Sequence, residues 1–446
     1  MNRKLLRRMA LPLIAACVVL ADCSNNTTTT AGPPTAFAVM RFTSAGALDP
    51  AFAGGRGVAT TTITPGLFDF ALAAAVQPAD NMILVGGSSG LAGSAQIALV
   101  RYKDVDGSLD SGFGSGGIVK TPAPAGTNSA GASAIVVQPD HKILVAALTF
   151  TASTGNTGIA LIRYQPDGTL DNTFNTPGIV IATIGSGKVD DTCALVLQGT
   201  NIIVAGASTN GSVVLYRYDT NGNLDTTFGS PTTPGSTVTS LPGALSPAIA
   251  LQSSGKIILV SGTNNDQAVL RYSASGILDP SFGTAGIVTT DINNGVNFAN
   301  AVAIMQDGSD KIVVAGHANV SGNTSDISLV RYTIDGALDA TFVGPNGNLN
   351  PGIVTVDFSG NFDNAFSVAL ESPAAPTTRI LVSGNTGLGG FSQAVVLRYN
   401  ADGTLDTTFG PPNGFVVPPL FGPSNIASGN AVVLQSTLGI VVAGYD

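Results

Sequence analysis

The sequence predicts an all-β protein, a seven-bladed β-propeller in which every blade is a four-stranded antiparallel sheet. Three observations lead to this prediction. A unit of about sixty residues recurs along the chain, each copy contains four short strand patterns, and the two chain ends carry complementary parts of one copy. The composition agrees, because 55 Gly and 25 Pro with only 11% charged residues are typical of short strands joined by turns.

The repeat is marked most clearly by an arginine that precedes an aromatic residue. Successive arginines are 54 to 67 residues apart, so the unit is nearly constant and its loops vary in length. Tyr follows the arginine in every copy except the first, where Phe42 stands in its place. The seven arginines are Arg41, Arg101, Arg163, Arg217, Arg271, Arg331 and Arg398.

The rest of the unit keeps one order around each arginine. A turn such as Asp106-Gly107 comes first, and Asp-Gly tolerates the positive φ angles of a tight hairpin. Leu-Asp and a Phe follow, then a short strand such as 117–119, an Ala-rich strand that ends in Gln, and a strand such as 142–145. No segment has the length and period of a helix, so each copy supplies one four-stranded sheet. The seven phenylalanines are Phe52, Phe113, Phe174, Phe228, Phe282, Phe342 and Phe409.

The unit resembles the delta-60 repeat of bacterial envelope and secreted proteins, which reads much like Ala-Leu-Val-Arg-Tyr-(x)2-Asp-Gly-x-Leu-Asp-x-x-Phe-Gly. The resemblance covers residues 36–446 and is carried by all seven copies. The repeat unit is also similar in strand order to NHL-type propellers. The resemblance implies a propeller whose Ala-rich strands are innermost, where small side chains suit the crowded axis.

The chain ends indicate how the ring closes. Segment 37–42 is a strand of the arginine type, and segment 440–444 is the strand expected to pair with it. If they pair, the seventh blade combines two strands from each terminus, and no edge strand is left open. An open solenoid would instead want capping repeats, and the sequence contains no such segment.

One Arg and one Asp occur at matched positions in every copy. A residue needed once for catalysis would not recur seven times, so we interpret each pair as a partly buried ion pair that pins the hairpin to its blade. A ring of exposed arginines that binds an anionic polymer is the alternative. The pairs are Arg41 with Asp49, Arg101 with Asp110, Arg163 with Asp171, Arg217 with Asp225, Arg271 with Asp279, Arg331 with Asp339, and Arg398 with Asp406.

Candidate metal ligands are few. The turns 104–110 and 219–225 superficially resemble oxygen-rich calcium loops, but they lack the bidentate Glu of an EF-hand, and side-chain capping of the turn is the alternative. Asp69, Asp191 and Asp363 precede Ala-rich strands and are candidates for a cation site at the mouth of the central channel. The sequence leaves the metal, if any, undetermined.

Candidate catalytic residues are equally few. His141 and His317 are the only imidazoles, Glu371 is the only Glu, and nothing in their spacing indicates a Ser-His-Asp triad. Cys193 is expected to be a small buried hydrophobe. We therefore predict no catalytic residue and no cofactor.

The N-terminal segment predicts export. Residues 1–22 have a basic start and an apolar run too short to span a bilayer. The residues before Cys23 resemble a bacterial lipoprotein box, so lipidation is expected at Cys23, with Cys17 or ordinary secretion as alternatives. Residues 23–35 would be a flexible tether and 36–446 the propeller. The expected location is the outer membrane or cell surface, or otherwise the periplasm or the medium.

The charge of the exported chain limits its partners. Removing the leader takes four of 19 cations and one of 28 acids, which leaves 15 against 27 and a net charge of −12. Such a surface repels nucleic-acid phosphates and anionic lipids, so we expect no nucleic-acid partner and membrane contact only through the lipid anchor.

The sequence favours a non-enzymatic binding scaffold that contacts a protein or glycan partner through loops at the channel mouth. One alternative is a propeller hydrolase or lactonase that uses a divalent cation in the central channel, and another is a purely structural component of a surface coat. The expected channel-mouth loops include segments that vary in length and composition between copies, namely 87–95, 148–158, 262–267, 318–326 and 385–393.

Overall fold

The architecture is an all-β ring. The computed structural model describes residues 34–91, 93–182, 189–208, 210–320, 324–344, 351–358, 361–372, 375, 378–388, 392–419, 428–436 and 439–446. In these residues the strands form seven four-stranded antiparallel sheets. The described helices are single turns at Ala53–Gly55, Asn175–Gly178 and Gly410–Gly414. The predicted fold class and blade number are therefore confirmed.

The first strands and blades 1 to 3 are as follows. The chain begins with β1 (Phe37–Phe42) and β2 (Val58–Thr61). Blade 1 contains β3 (Phe68–Val76), β4 (Ile83–Gly90), β5 (Gln96–Tyr102) and β6 (Ile118–Thr121). Blade 2 contains β7 (Ser129–Val137), β8 (Ile143–Thr151), β9 (Asn156–Tyr164) and β10 (Ile179–Ala182). Blade 3 contains β11 (Val189–Gln198), β12 (Asn201–Ser208), β13 (Ser212–Tyr218) and β14 (Ser236–Ser240).

The remaining blades continue the same pattern. Blade 4 contains β15 (Leu245–Leu251), β16 (Ile257–Thr263), β17 (Asp266–Tyr272) and β18 (Ile287–Thr290). Blade 5 contains β19 (Asn297–Ile304), β20 (Ile312–Val320), β21 (Thr324–Tyr332) and β22 (Ile353–Val356). Blade 6 contains β23 (Asn364–Glu371), β24 (Arg379–Thr386), β25 (Gln393–Tyr399) and β26 (Phe415–Val416). Blade 7 adds β27 (Ser428–Leu434) and β28 (Ile440–Tyr445) to β1 and β2.

The first strand of each blade is the innermost one. These strands contact one another around the ring, and β3 packs against both β7 and β27, so the inner circle is continuous. Small residues such as Ala71, Ala132 and Ala299 are completely buried there. The predicted placement of the Ala-rich strands at the axis is therefore confirmed.

Blade 7 closes the ring with strands from both ends of the chain. Its order is β2-β1-β28-β27, and β1 pairs antiparallel to β28 from Phe37 opposite Tyr445 to Phe42 opposite Ile440. This is the predicted pairing. It covers the main-chain edge that each of the two strand pairs would otherwise expose.

The apolar core is divided into layers between neighbouring blades. In the described residues there are seven buried clusters, one at each junction. The cluster between blades 7 and 1, for example, combines Phe37 and Val441 with Val85 and Val100. Each blade is thus stabilised by the faces of its two neighbours rather than by a core of its own.

The alternating connections give the ring two distinct faces. The hairpins between first and second strands and the Asp-Gly turns after third strands lie on one face, which we call the turn face. The connections between second and third strands and the links between blades lie on the other, which we call the loop face. Ligand contacts expected from the variable segments would therefore fall on the loop face.

Connections on the loop face are shorter than the sequence suggested. Thr151 at the end of β8 pairs with Asn156 at the start of β9, so most of 148–158 is strand. Likewise, β20 extends to Val320. Polar residues continue these ladders because the hydrogen bonds of a sheet are made by the main chain.

Candidate functional site

The structure brings together the Arg and Asp of all seven repeated pairs, from Arg41 and Asp49 to Arg398 and Asp406. In each pair, Nε of the arginine donates to Oδ2 of the aspartate at 2.7–2.9 Å. The arginine side chains are only 2–11% exposed. They therefore do not present the exposed cationic ring that an anionic polymer would need.

Each arginine also joins its blade to the next one, which was not predicted from the sequence. Its guanidinium carbon lies 4.5–4.8 Å from the centroid of the repeated Phe ring. Its Nη1 donates to a main-chain carbonyl in the turn of the following blade, as from Arg271 to Ile334 at 2.7 Å. Arg398 of blade 6 donates to Ser44, which follows β1, and so links blade 6 to blade 7. The other acceptors are the carbonyls of Asp104, Pro166, Thr220, Ala274 and Ala401.

The glycine of each turn packs against the Phe of the preceding blade. A Cβ on Gly276 would lie 2.4 Å from the ring of Phe228, and the φ of Gly276 is +82°. Glycine is thus required both by the left-handed backbone and by the neighbouring ring. The same contact is made by Gly46, Gly107, Gly168, Gly222, Gly336 and Gly403.

Four blades place a second cation on the same aspartate. In blade 4, Lys256 Nζ lies 2.9 Å from Asp279 Oδ2. Hydrogen bonds from Ser281 and Lys256 hold the pKa of Asp279 well below its ordinary value, against the effect of burial. The equivalent contacts are Lys142 with Asp171, Lys311 with Asp339, and Arg379 with Asp406, at 2.9–3.1 Å.

The turns that resembled calcium loops use their carboxylates within the protein. Asp106 Oδ1 accepts hydrogen bonds from N and Oγ of Ser108, and Asp219 Oδ1 accepts one from N of Asn223. Asp104 forms an ion pair with the arginine of blade 7. Among the described residues, no group of three His, Cys, Asp or Glu side chains is arranged to hold a metal ion.

Asp69 and Asp363 are completely buried and do not open to the channel mouth as expected. Their Oδ2 atoms accept hydrogen bonds from N of Ile63 at 2.7 Å and N of Phe358 at 2.6 Å. Burial raises the pKa of both carboxyl groups. Each aspartate therefore caps the link that precedes its own strand. The side chain of Asp191 lies outside the described part of the chain.

The two imidazoles are far from a triad arrangement. His141 is exposed in a turn, and His317 is buried against Phe298 with ring centroids 4.5 Å apart. Burial lowers the pKa of His317 to about 3. Burial also raises the pKa of the Cys193 thiol to about 12. Glu371 lies 3.5 Å from Nη1 of the blade 6 arginine, so it serves an ion pair.

The loop face carries two acidic pairs that sequence reasoning missed. Asp266 and Asp291 flank the outer strands of blade 4, and Asp326 and Asp357 occupy the same positions in blade 5. Burial and the charges of Asp357 and Asp363 raise the pKa of Asp326 to about 6. Aligning the copies six residues before the repeated Tyr would have revealed the shared Asp.

The described part of the turn face includes two cavities at blade junctions. One of about 580 Å³ lies beside blade 6, and Glu371, Arg379 and Asp402 contribute to its lining. The cationic side chain in this lining, Arg379, already forms an ion pair within the protein, because its Nε lies 3.0 Å from Asp406 Oδ2. The other, of about 460 Å³, lies where blade 7 meets blade 1, and its lining includes Asp49 and Asp104.

The expected leader, most of the tether and Cys23 lie outside the described residues. In the described ranges, no helix is both long enough and apolar enough to cross a membrane. Export and lipidation at Cys23 accordingly stay predictions.

Comparison with known families supports a propeller repeat. Six segments match a family model described as "Domain of unknown function (DUF5122) beta-propeller", and every segment ends at the repeated Phe. The chain is therefore a propeller repeat protein. No curated protein sequence matches it. The matched segments are 79–113, 138–174, 201–228, 252–282, 308–342 and 379–409.

Several solved structures are similar in fold. The alpha-L-arabinofuranosidase Arb93A of Fusarium graminearum is 12% identical with a TM-score of 0.45, covering 74% of this chain and 93% of that one. The levansucrase of B. megaterium is 12% identical with a TM-score of 0.34, covering 72% and 92%. The SapL1 lectin is 14% identical with a TM-score of 0.39, covering 80% and 97%. They include enzymes and a lectin.

Proposed function

We propose that the protein is a non-enzymatic binding scaffold of the cell envelope, built from delta-60-type repeats, and that a protein or glycan binds its loop face. One observation carries the proposal, namely that the two faces use their polar groups differently. The repeated charges of the turn face are buried and paired within the protein, whereas the connections of the loop face differ between blades. Binding sites on a rigid scaffold commonly lie on such variable connections.

The charges of the loop face narrow the class of ligand. Asp291 and Asp357 are exposed there, and Asp266 and Asp326 are half-buried beside them. This gives blades 4 and 5 a negative surface, which attracts cationic or hydroxyl-rich groups and repels anionic ones. A basic protein segment or an uncharged glycan fits this surface better than an acidic polymer does.

A binding experiment with a footprint tests the proposal. The intact protein is screened against arrays of glycans and basic peptides, and the complex with any ligand is examined by amide hydrogen exchange. We expect protection of loop-face connections such as 264–265 and 291–296, with the Asp-Gly turns unchanged. Protection confined to the turn face, or chemical conversion of the bound ligand, would contradict the proposal.

The envelope location is tested separately through the predicted anchor. Cells that express the wild-type chain are labelled with a radioactive fatty acid and fractionated. The variant Cys23→Ser should lose both the label and membrane retention, whereas Cys17→Ser should keep them. Loss of the label in Cys17→Ser alone would move the anchor to the other cysteine.

A further inference from the structure

Blade 7 differs from four other blades at the residue that supplies the second cation. In those blades a Lys or Arg directly before or at the start of the second strand contacts the repeated Asp at 2.9–3.1 Å. In blade 7 this position is Gly439, which directly precedes β28. The turn from the repeated Gln to this position has the same length at 138–142, 252–256 and 435–439, so the match needs no gap.

The acceptor of the missing contact is present in blade 7. Asp49 Oδ2 lies 2.7 Å from Arg41 Nε, as the equivalent aspartates do from their own arginines. The Asp49 side chain is 22% exposed, against 0–12% for the aspartates with two cations. Among the described residues, Arg41 is the only basic side chain within ion-pair distance of Asp49.

At the position of the lysines of blades 2, 4 and 5, blade 7 has a cavity of about 460 Å³. Gln435 and Gly439 line this cavity together with Asp49 and Asp104. Gln435 is 3% exposed, and its Oε1 has no hydrogen-bond partner among the described atoms. That oxygen lies 2.6 Å from the point where a Cβ on Gly439 would stand. A buried acceptor therefore lies at the root of the absent side chain.

The glutamines show that blade 7 is arranged like a blade that contains lysine. Blades 1 and 3 also lack the second cation, but Oε1 of Gln77 and Gln198 accepts a hydrogen bond from the arginine Nη1, at 3.1 and 2.9 Å. Beside the lysines of blades 2 and 4, Gln138 and Gln252 leave Oε1 without a hydrogen bond, as Gln435 does. Blade 7 thus keeps the glutamine arrangement of the lysine-containing blades 2 and 4 although its own residue is glycine.

We propose that this cavity binds a primary ammonium group on a short alkyl chain, which takes the place of the lysine side chain of blades 2, 4 and 5. The alkyl chain would lie over Gly439, and the ammonium would donate to Asp49, as the lysine ammonium groups do to the equivalent aspartates. An ammonium group has three donors and no acceptor, so it suits this carboxylate. A free amine and a lysine side chain of a peptide share this chemistry. The site lies on the turn face and is independent of the proposed ligand of the loop face.

Titration of the full-length protein with n-butylammonium tests the proposal. Calorimetry should show saturable binding with a dissociation constant on the order of 1 mM, as expected for so few ligand atoms. n-Butanol has the same length without the charge and should not bind, and sodium chloride at equal concentration controls for ionic strength. A parallel titration with Nα-acetyl-lysine amide separates the two sources. If both ligands bind, the cavity accepts the lysine side chain of a peptide. If only n-butylammonium binds, the cavity accepts a free amine but not a peptide lysine.

Two variants locate the site. Gly439→Lys supplies an internal ammonium group. Gly439 lies outside the positive-φ region, and the atom that a Cβ would meet at 2.6 Å is the end of the Gln435 side chain, which must shift to admit it. We expect this variant to bind n-butylammonium at least about tenfold more weakly. Lys256→Gly should create the same arrangement around Asp279 and add a second site. Absence of saturable binding to the wild type, undiminished binding to Gly439→Lys, or failure of Lys256→Gly to gain a site would overturn the proposal.

Discussion

The turn face and the loop face of the ring hold neighbouring blades together in different ways. On the turn face, every junction uses the same arginine, with its aspartate, its Phe and a carbonyl of the next blade. On the loop face, the contacts change from one junction to the next. Gln267 Nε2 donates to Phe298 O at one junction, whereas Asn430 Nδ2 donates to Ala71 O at another. The turn face thus carries the closure of the ring, which leaves the loop face free to vary.

The largest expected effect is the loss of one turn-face arginine. Arg331→Met should lower the free energy of unfolding by about 3 to 5 kcal/mol, because Asp339 would remain buried with only one of its two cations. Urea denaturation measures the change. The matched control is Lys120→Met, which removes an exposed cation and should stay within about 0.5 kcal/mol of the wild type. Equal losses in the two variants would show that the buried arginine contributes no more to stability than an exposed cation does.

A second test compares glycines with the same backbone in different surroundings. Gly168 on the turn face has a φ of +87° and Gly126 on the loop face +84°. A Cβ would meet Val119 at 2.6 Å and Phe113 at 2.8 Å in the first case and nothing within 4 Å in the second. Gly126→Ala should cost about 1 kcal/mol through backbone strain. Gly168→Ala should cost about 2 to 3 kcal/mol, because overpacking is added. Similar values from urea denaturation would show that the Phe contact contributes little.

A third test uses pH to separate the faces. The pKa of Asp326 in the fold is about 6, above its ordinary value, so its ionised form is disfavoured in the fold. The contribution of the protonated Asp326 carboxyl group to the stability of the fold is therefore fully present below the ordinary pKa. It is lost as pH rises through about 6. Asp326→Asn should gain about 1 to 2 kcal/mol over the wild type at pH 7.5, after allowance for solvent screening, and little at pH 4. Turn-face acids such as Asp279 have lowered pKa values and stay ionised over most of this range.

The measurement is the denaturation midpoint of the wild type and of Asp326→Asn across the pH range. A constant difference between wild type and Asp326→Asn from pH 4 to 7.5 would mean that the charge cluster of Asp326, Asp357 and Asp363 does not affect stability. A difference that grows as pH rises would support it.

The smallest expected effect compares two junctions. Tyr332 forms a hydroxyl hydrogen bond of 2.6 Å with Thr290 of the preceding blade, whereas the buried Tyr399 hydroxyl has no partner among the described atoms. The residue equivalent to Thr290 in blade 5 is Val356, which packs against the cluster that contains Tyr399. Val356→Thr should therefore stabilise the protein by about 1 kcal/mol. Tyr332→Phe should lose a similar amount, and Tyr399→Phe should be close to neutral; equal losses in both Phe variants would contradict this view.

Much of the fold was predictable because the repeat gives each local pattern seven times. Alternating apolar residues and Asp-Gly turns marked the strands, and the segments at 37–42 and 440–444 marked the closure. The Arg and Asp of each pair are close in sequence, so their contact was also predictable. The carbonyl acceptors of the arginines were not, because any residue type offers a carbonyl. Burial of Asp69 was missed because its partners are main-chain N–H groups.

Strand number, blade number and the sharing of the last blade were already contained in the amino-acid sequence, since they depend on periodicity and turn chemistry within one unit. The packing of separate blades decided the rest: which carbonyl each arginine reaches, which acids are buried, and where a cavity replaces a lysine. These features join segments far apart in the chain, such as Arg398 and Ser44, which are 354 residues apart. No local pattern specifies such a distance, because it results from seven blades closing into one ring.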